Sequence, residues 1–467
     1  MKTTGRTHPW LTLQAERNPD GRAVVSGEGQ LTFLNVYERA KQTAASLSEE
    51  GIGAGSHVAI VLQNSERYYV LLHALTLLRA VIVPINIRLT ADEIARQIEF
   101  ADCSHVISDN RIDKIKQKPV RTSSDTLLLL FTSGTSGEPK CVELTCQNIF
   151  YNALATKLRL KMTNKDSWLL SLPLYHIGGI SIVMRSVMYG IPVGIPSALD
   201  TDAIMAAMND YDPAVVSLVP TMMHRILGKR MKPNPAHRAI LLGGGPVPGG
   251  LLDRAGAEGW KIATTYGATE TSSQIATRSP DDAKHPGSAG QALPFNRLHI
   301  VDESGNEMQS EEEGEITVQT PSLMHGYYKR EDLTAQNIRN NRYYTGDYGY
   351  LTGDRYLFVL SRRSDLIVSG GENINPSEVE DELRRYFTIR DVCVFPYADA
   401  EWGEVVAAAV VTDDDSITHE SIARLLDGKL ASYKIPKKIF VVQSLPYTAH
   451  GKRNRRKIGE QIIRNFR

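Results

Sequence analysis

Six short apolar runs recur between residues 55 and 270: VAIVLQ, VIVPIN, LLLLFT, IPVGIP, AVVSLV and AILLGG. Each is bounded by Gly, Pro, Asn or another turn residue, and helical stretches lie between several of them. A strand buried on both faces reads as a continuous apolar run, and a parallel neighbour needs a crossover, usually a helix. This pattern therefore predicts α/β layers around largely parallel strands. GISIVMRSVMYG and PTMMHRILG are expected to be covering helices. The most apolar stretch, YYVLLHALTLLRAVIVPI, is interrupted by His73, Arg79 and Pro84, which predicts a buried helix and strand instead of a membrane span.

The pattern changes twice further on. From about residue 295 to 360, RLHIVDESGNEM, GEITVQT and RYLFVLS alternate and are separated by turn residues, which predicts a β-rich subdomain of hairpins. After Arg362, PSEVEDELRRYF reads as a helix with a capping box of Ser377 and Glu380 and an apolar face of Val379, Leu383 and Phe387. VVAAAVV and KIFVVQ read as strands and ESIARLLDGKLASY as a helix. The fold class expected is thus α/β. A large N-terminal domain (1–362) of layered α/β subdomains plus a β-rich part precedes a small, mobile α+β C-terminal domain (363–467), with the boundary in SRRSDL.

Composition narrows the function classes. Lys plus Arg and Asp plus Glu both number 53, so the formal net charge is zero. That argues against a nucleic-acid partner and against a protein built to hold an anionic membrane. The four scattered cysteines form no zinc pattern, and with no apolar leader in MKTTGRTHPW they point to a reducing cytoplasm. The oligomeric state, including a homo-oligomer, stays open.

One stretch asks for a ligand. In LLLLFTSGTSGEPK a strand feeds Thr132, Ser133, Gly134, Thr135, Ser136 and Gly137, and Lys140 follows three positions later. Glycines let the backbone approach an anion, hydroxyls add donors and the lysine adds charge, a combination suited to polyphosphate. The Gly spacing is not that of a Walker loop, and a flexible surface turn has the same composition.

TSGTSGEPK resembles the phosphate loop of the acyl-adenylate-forming superfamily. LPLYHIGG (172–179), LLGGGPVP (241–248), YGATE (266–270), YYTGD (343–347), RRSDLIVSGGENI (362–374) and PYTAHGK (446–452) resemble its other motifs, in the same order. Cys141 departs from the glycine usual after the loop lysine. The resemblance implies joining a carboxylic acid to CoA through an acyl-adenylate, with ATP, Mg²⁺ and coenzyme A as cofactor and co-substrates. It implies that Thr132 to Gly137 and Lys140 grip the β and γ phosphates, that Thr269 reaches the α-phosphate and that Glu270 holds Mg²⁺. Gly244, Gly245 and Pro246 would line adenine, with Tyr266 and Gly267 on its other side. Asp347 and Arg362 would take the ribose, and Lys452 would stabilise the adenylation transition state. Ser364 would be the pivot of a domain rotation that brings Gly370 and Gly371 toward the pantetheine arm.

LPLYHIGGISIVMRSVMYG, LLGGGPVP and YGATETSSQI together look most like the o-succinylbenzoate–CoA ligases of menaquinone biosynthesis. Ser272, Ser273 and Gln274 are then candidate donors to the acid. His176 lines the pocket, gates it or sits in the core. Arg185 could pair with the spare carboxylate of the acid, but a helix-surface arginine is the expectation. An aryl- or medium-chain fatty-acid–CoA ligase, a peptide-carrier adenylation domain and a non-catalytic nucleotide-binding relative remain as alternatives.

Overall fold

The structure, a computed structural model, describes residues 10–109, 111–115, 125–132, 140–245, 247, 249–282, 284–362, 366–386, 388–412, 414, 417–445 and 455–466. Two compact units divide the chain. One comprises Met1–Ile87, Ile98–Phe131 and Cys141–Ser361; the other comprises Arg88–Gln97, Thr132–Lys140 and Arg362–Arg467.

The larger unit carries two predominantly parallel sheets. In the nine-stranded sheet, strands Ile262–Ala268, Ala239–Leu242, Val215–Leu218, Trp168–Leu169, Val193–Gly194 and Arg22–Ser26 lie side by side, all parallel. The N-terminal strand joins late in sequence terms, pairing Val24 with Val193 and Val25 with Gly194. The seven-stranded sheet sets His57–Ile60 between parallel neighbours Val81–Pro84 and His105–Ser108. Every residue of Val215–Leu218, Ala239–Leu242, His57–Ile60 and Val81–Pro84 is buried, so the apolar runs are strands covered on both faces. Helices Ile177–Tyr189 and Pro220–Gly228 form where expected. Helix Glu66–Leu78 followed by strand Val81–Pro84 accounts for the most apolar stretch, and no helix among the described residues is long and apolar enough to cross a membrane.

In the hairpin region, Arg297–Val301, Gly314–Gln319 and Arg342–Leu351 pair antiparallel in a five-stranded sheet that also includes Leu357–Arg362. This is the β-rich part that the alternating stretches predict.

In the smaller unit, strands Asp391–Asp399 and Gly403–Val411 pair antiparallel, and Lys438–Val442 adds in parallel. Alternate residues point to opposite faces. Val392, Val394, Val406, Ala408 and Val410 pack with Val379, Leu383, Ile422 and Leu426 of two helices. Cys393, Phe395, Ala407, Ala409 and Val411 pack on the other side with Ile458 and Ile462.

Two expectations need correction here. The first helix of this unit is Pro376–Arg384, with proline at its first position, so Ser377 lies inside the helix and cannot cap it. Glu380 is 1% exposed and accepts from the Val394 N–H at 2.9 Å and from Arg455 Nε at 3.0 Å. Phe387 lies outside the described residues. The last described element, Arg455–Asn465, is a helix. Its Arg455 neutralises buried Glu380, and Gly459 sits so close to Phe395 that a Cβ would lie 2.4 Å from the ring. The ESIARLLDGKLASY helix is also shorter than its pattern suggests. It spans His419–Leu426 and stops before Asp427 and Gly428, where φ is +73°.

Candidate active site

In open α/β sheets, ligands bind beyond the carboxyl ends of parallel strands. Strand Ala239–Leu242 ends in Gly243, Gly244 and Gly245. A Cβ on Gly243 would come within 2.6 Å of the Thr265 methyl and 2.9 Å of its carbonyl oxygen. Gly244 has φ +81°, a left-handed conformation that disfavours side chains, and it is exposed. This turn therefore offers bare backbone at the strand end. Pro246 lies outside the described residues.

The neighbouring strand, Ile262–Ala268, presents Tyr266, which donates from Oη to Asp347 Oδ2 at 2.7 Å. Asp347 is aimed by a local irregularity. Register slips between Glu315 and Thr317 opposite it, and Gly346 takes φ +73° with its N–H on Glu315 Oε1. Thr345 Oγ1 donates to the Ile316 carbonyl and accepts from the Asp347 N–H. A bulge of this kind re-aims one side chain and lets the ladder continue beyond it. The glycine and threonine of YYTGD are thus explained by the backbone they build.

Beyond Tyr266, Gly267 has no room for a side chain, since a Cβ would lie 2.0 Å from the Ser273 carbonyl oxygen. The chain then makes a single 3₁₀ turn, Thr269–Thr271. Buried Thr271 ties this turn down, its Oγ1 accepting from the Ala268 N–H at 3.1 Å. Thr269 and Glu270 stay half-buried. Glu270 Oε1 accepts from Tyr327 Oη at 2.8 Å, and its main-chain carbonyl accepts from the Met324 N–H at 2.8 Å. Tyr343 hydrogen-bonds Tyr327 in turn. Burial, reinforced by the Glu270 charge, pushes both phenols above their ordinary pKa, so they remain donors. Oε2 of Glu270 has no partner among the described residues. No cluster of three or more His, Cys, Asp or Glu side chains suited to a metal occurs among them. Mg²⁺ needs only one or two carboxylates when phosphates and waters complete its shell, so Glu270 fits that ion.

Behind this turn lies a buried polar network. Asn152 Nδ2 donates to the carbonyls of Thr271 and Gln274, and its Oδ1 accepts from Arg185 Nη2 at 2.7 Å. Arg185 is 2% exposed, with its guanidinium 5.2 Å from the Trp168 ring. It is not on a helix surface: helix Ile177–Tyr189 is buried nearly all round, so no face of it is left for solvent. Its Nε has no hydrogen-bond partner among the described residues, and burial pulls the guanidinium pKa below its usual value.

Ser272 is committed elsewhere, its hydroxyl donating to the Ser322 carbonyl. Gln274, 4% exposed, accepts from Thr156 Oγ1, while its buried Nε2 has no hydrogen-bond partner among the described residues. Ser273 is half-buried with φ +111°. His176 is the residue preceding helix Ile177–Tyr189, half-buried, with its ring 4.7 Å from that of Tyr175.

Thr132 ends strand Thr126–Thr132 and Lys140 begins strand Lys140–Thr145, its neighbour in the seven-stranded sheet, while the stretch Thr132–Lys140 is grouped with the smaller unit. The phosphate-loop sequence thus links adjacent strands, a second strand that the loop composition did not announce. Ser133, Gly134, Thr135, Ser136 and Gly137 lie outside the described residues, as do Ser364, Lys452 and the side chain of Arg362. Gly370 and Gly371 form the turn between strands Ile367–Ser369 and Glu372–Ile374, with φ +60° and +89°. Two-residue hairpins of type I′ need both positions left-handed, which accounts for the glycine pair. A Cβ on Gly370 would also lie 2.6 Å from the Trp402 ring. Gly370→Ala is expected to destabilise this unit by at least about 1–2 kcal/mol, read as a lowered melting midpoint.

Sequence reasoning missed Tyr327, Asn152 and Trp168. None carries a charge or a motif; each acts through a hydrogen bond or ring contact between segments far apart in the chain.

Comparison with known proteins covers almost the whole chain. The AMP-binding enzyme family matches residues 11–123 and 110–328, and the AMP-binding enzyme C-terminal domain matches 378–452. The 2-succinylbenzoate–CoA ligase of Bacillus licheniformis is 35% identical over 476 residues, covering 97% of this chain and 99% of that protein. Its counterpart from Geobacillus sp. is 36% identical over 482 residues, covering 98% of each. Among solved structures, a double mutant of the Bacillus subtilis o-succinylbenzoate CoA synthetase, bound to a product analogue, superposes with a TM-score of 0.91 at 32% identity, covering 97% of this chain and 98% of that one.

Proposed function

This chain belongs to the AMP-binding enzyme family, alongside the 2-succinylbenzoate–CoA ligases, and from that premise we propose that it joins o-succinylbenzoate to coenzyme A at the expense of ATP. The product would serve menaquinone biosynthesis. A carboxylate oxygen of the acid attacks the α-phosphorus of ATP, the bond to the β-phosphate oxygen breaks, and pyrophosphate leaves. The sulfur of CoA then attacks the acyl carbon, the bond to the phosphate oxygen breaks, AMP leaves and the thiol proton is released. Negative charge moves among phosphate oxygens in the first step, so fixed donors and cations carry most of the catalysis.

The observation that carries the reading is the convergence of Tyr266, Asp347 and Glu270 around one strand end, with bare glycine backbone beside them. In this reading Gly244, Gly245 and Tyr266 bracket adenine, and Asp347 accepts from the ribose hydroxyls. Thr269 donates to the α-phosphate and Glu270 holds Mg²⁺, which neutralises phosphate charge when bound. Thr132, Lys140 and the loop between them hold the outer phosphates. Arg362 reaches the ribose and Lys452 the reacting phosphate. His176 lines the acid pocket, and Gly370 and Gly371 leave room for pantetheine. Arg185, a buried cation two hydrogen bonds behind the Thr269–Thr271 turn, is the partner we assign to the second carboxylate of the acid. We place the enzyme in the cytoplasm, consistent with four free cysteines.

An ATP–pyrophosphate exchange assay over a panel of acids tests the substrate. o-Succinylbenzoate is expected to drive exchange, and CoA to convert the intermediate to a thioester with release of AMP. Preference for benzoate, coumarate or octanoate would overturn the substrate. Absence of exchange with every acid would favour a non-catalytic relative.

A further inference from the structure

We propose that Tyr327 is a positioning residue, whose phenol fixes one oxygen of the Glu270 carboxylate so that the other faces a magnesium–phosphate unit. The proposal rests on the assignment of Glu270 to the metal made above.

The segment Met324–Tyr327 grips Glu270 at two points. The Met324 N–H holds the Glu270 main-chain carbonyl at 2.8 Å, and Tyr327 Oη holds Oε1 at 2.8 Å. That segment is itself fixed. Strand Gly326–Tyr327 pairs antiparallel with Glu143 and Val142 of strand Lys140–Thr145, and the Tyr328 N–H continues the pairing onto the Cys141 carbonyl. The Tyr327 N–H donates to Thr334 Oγ1 at 2.9 Å, and a Cβ on Gly326 would sit 3.0 Å from the same hydroxyl. Tyr327 is 5% exposed and Tyr343 4%, so neither phenol is free to swing toward water.

A glutamate side chain has three rotatable bonds, and a single-carboxylate metal ligand on a short surface turn would sample many rotamers. One buried donor on one oxygen selects a rotamer and leaves the second oxygen unengaged. Partners of metal ligands act this way in general, and their loss costs about 10–100-fold in metal affinity or activity. The hydroxyls form a chain: Tyr343 is hydrogen-bonded to Tyr327, and Tyr327 donates to one carboxylate oxygen of Glu270.

The test measures ATP affinity by calorimetry with excess Mg²⁺ and again in EDTA, for the wild type, Tyr327→Phe, Tyr343→Phe and Glu270→Gln. Electron paramagnetic resonance of bound Mn²⁺ gives a second readout independent of turnover. Tyr327→Phe is expected to shrink the Mg²⁺-dependent gain in affinity by about tenfold while leaving metal-free ATP binding unchanged. Tyr343→Phe is expected to shift it less, in the same direction. Unchanged metal-free binding also shows that the variant is folded. If Tyr327→Phe keeps the full Mg²⁺ gain, or weakens both affinities equally, the positioning role is overturned while Glu270→Gln still reports on the metal assignment. If Glu270→Gln itself keeps the full gain, the assignment of Glu270 fails and the role of Tyr327 fails with it.

Discussion

Lys452→Ala is expected to slow ATP–pyrophosphate exchange by about 10²–10³-fold, the scale for removing one donor that acts only in the transition state. Thioester formation from pre-made acyl-adenylate should be largely preserved, because that step moves no pyrophosphate. The described chain resumes just downstream of the lysine. Helix Arg455–Asn465 is anchored by the Arg455 pair with buried Glu380 and by Ile458 and Ile462. Measuring the two half-reactions separately decides the matter: equal losses in both would mean that the substitution damages the unit and that the lysine has no step-specific role.

Arg185→Met is expected to reduce kcat/KM for o-succinylbenzoate by about 10²–10³-fold, while a mono-carboxylic aromatic acid such as benzoate is unaffected or improved relative to it. Leaving one member of a buried charge pair uncompensated costs about 3–5 kcal/mol, and 1.4 kcal/mol is a factor of ten. Met fills similar space without charge, so the Trp168 contact surface is kept. Arg185 has a neutral partner in Asn152 and an unpaired Nε, an unusual state for a guanidinium that is 2% exposed. A ligand carboxylate would complete it. Loss of activity toward every acid alike would assign Arg185 to the architecture of the Asn152 network instead.

Much of the fold was legible from the sequence because its signals are local. Runs such as AVVSLV and AILLGG are buried on both faces, so their apolar character had no polar face to dilute it. The motifs around Gly244, Tyr266 and Asp347 were legible because tight turns and bulges admit few residue types, as the φ of +73° at Gly346 illustrates. What escaped was long-range. Arg185, the single charge in helix Ile177–Tyr189, reads as a surface arginine until that helix is seen to be enclosed. Ser272 has the chemistry of a ligand donor, but the Ser322 carbonyl, distant in the chain, engages it first. Glu380 fitted a capping pattern, yet Pro376 moves the helix start and Arg455 takes the carboxylate.

The pairing of strand Arg22–Ser26 with Val193–Gly194 also bears on how the protein is made. At about 5–20 residues per second, the hairpin formed with Gly29–Thr32 leaves the ribosome on the order of ten to thirty seconds before its parallel neighbour. Until then Val24 and Val25 present an unpaired apolar edge, the kind of surface that recruits chaperones or other nascent chains. Production of this enzyme in a foreign host should therefore be limited by events at its first thirty residues, and slower translation at low temperature should not cure that, since it lengthens the wait.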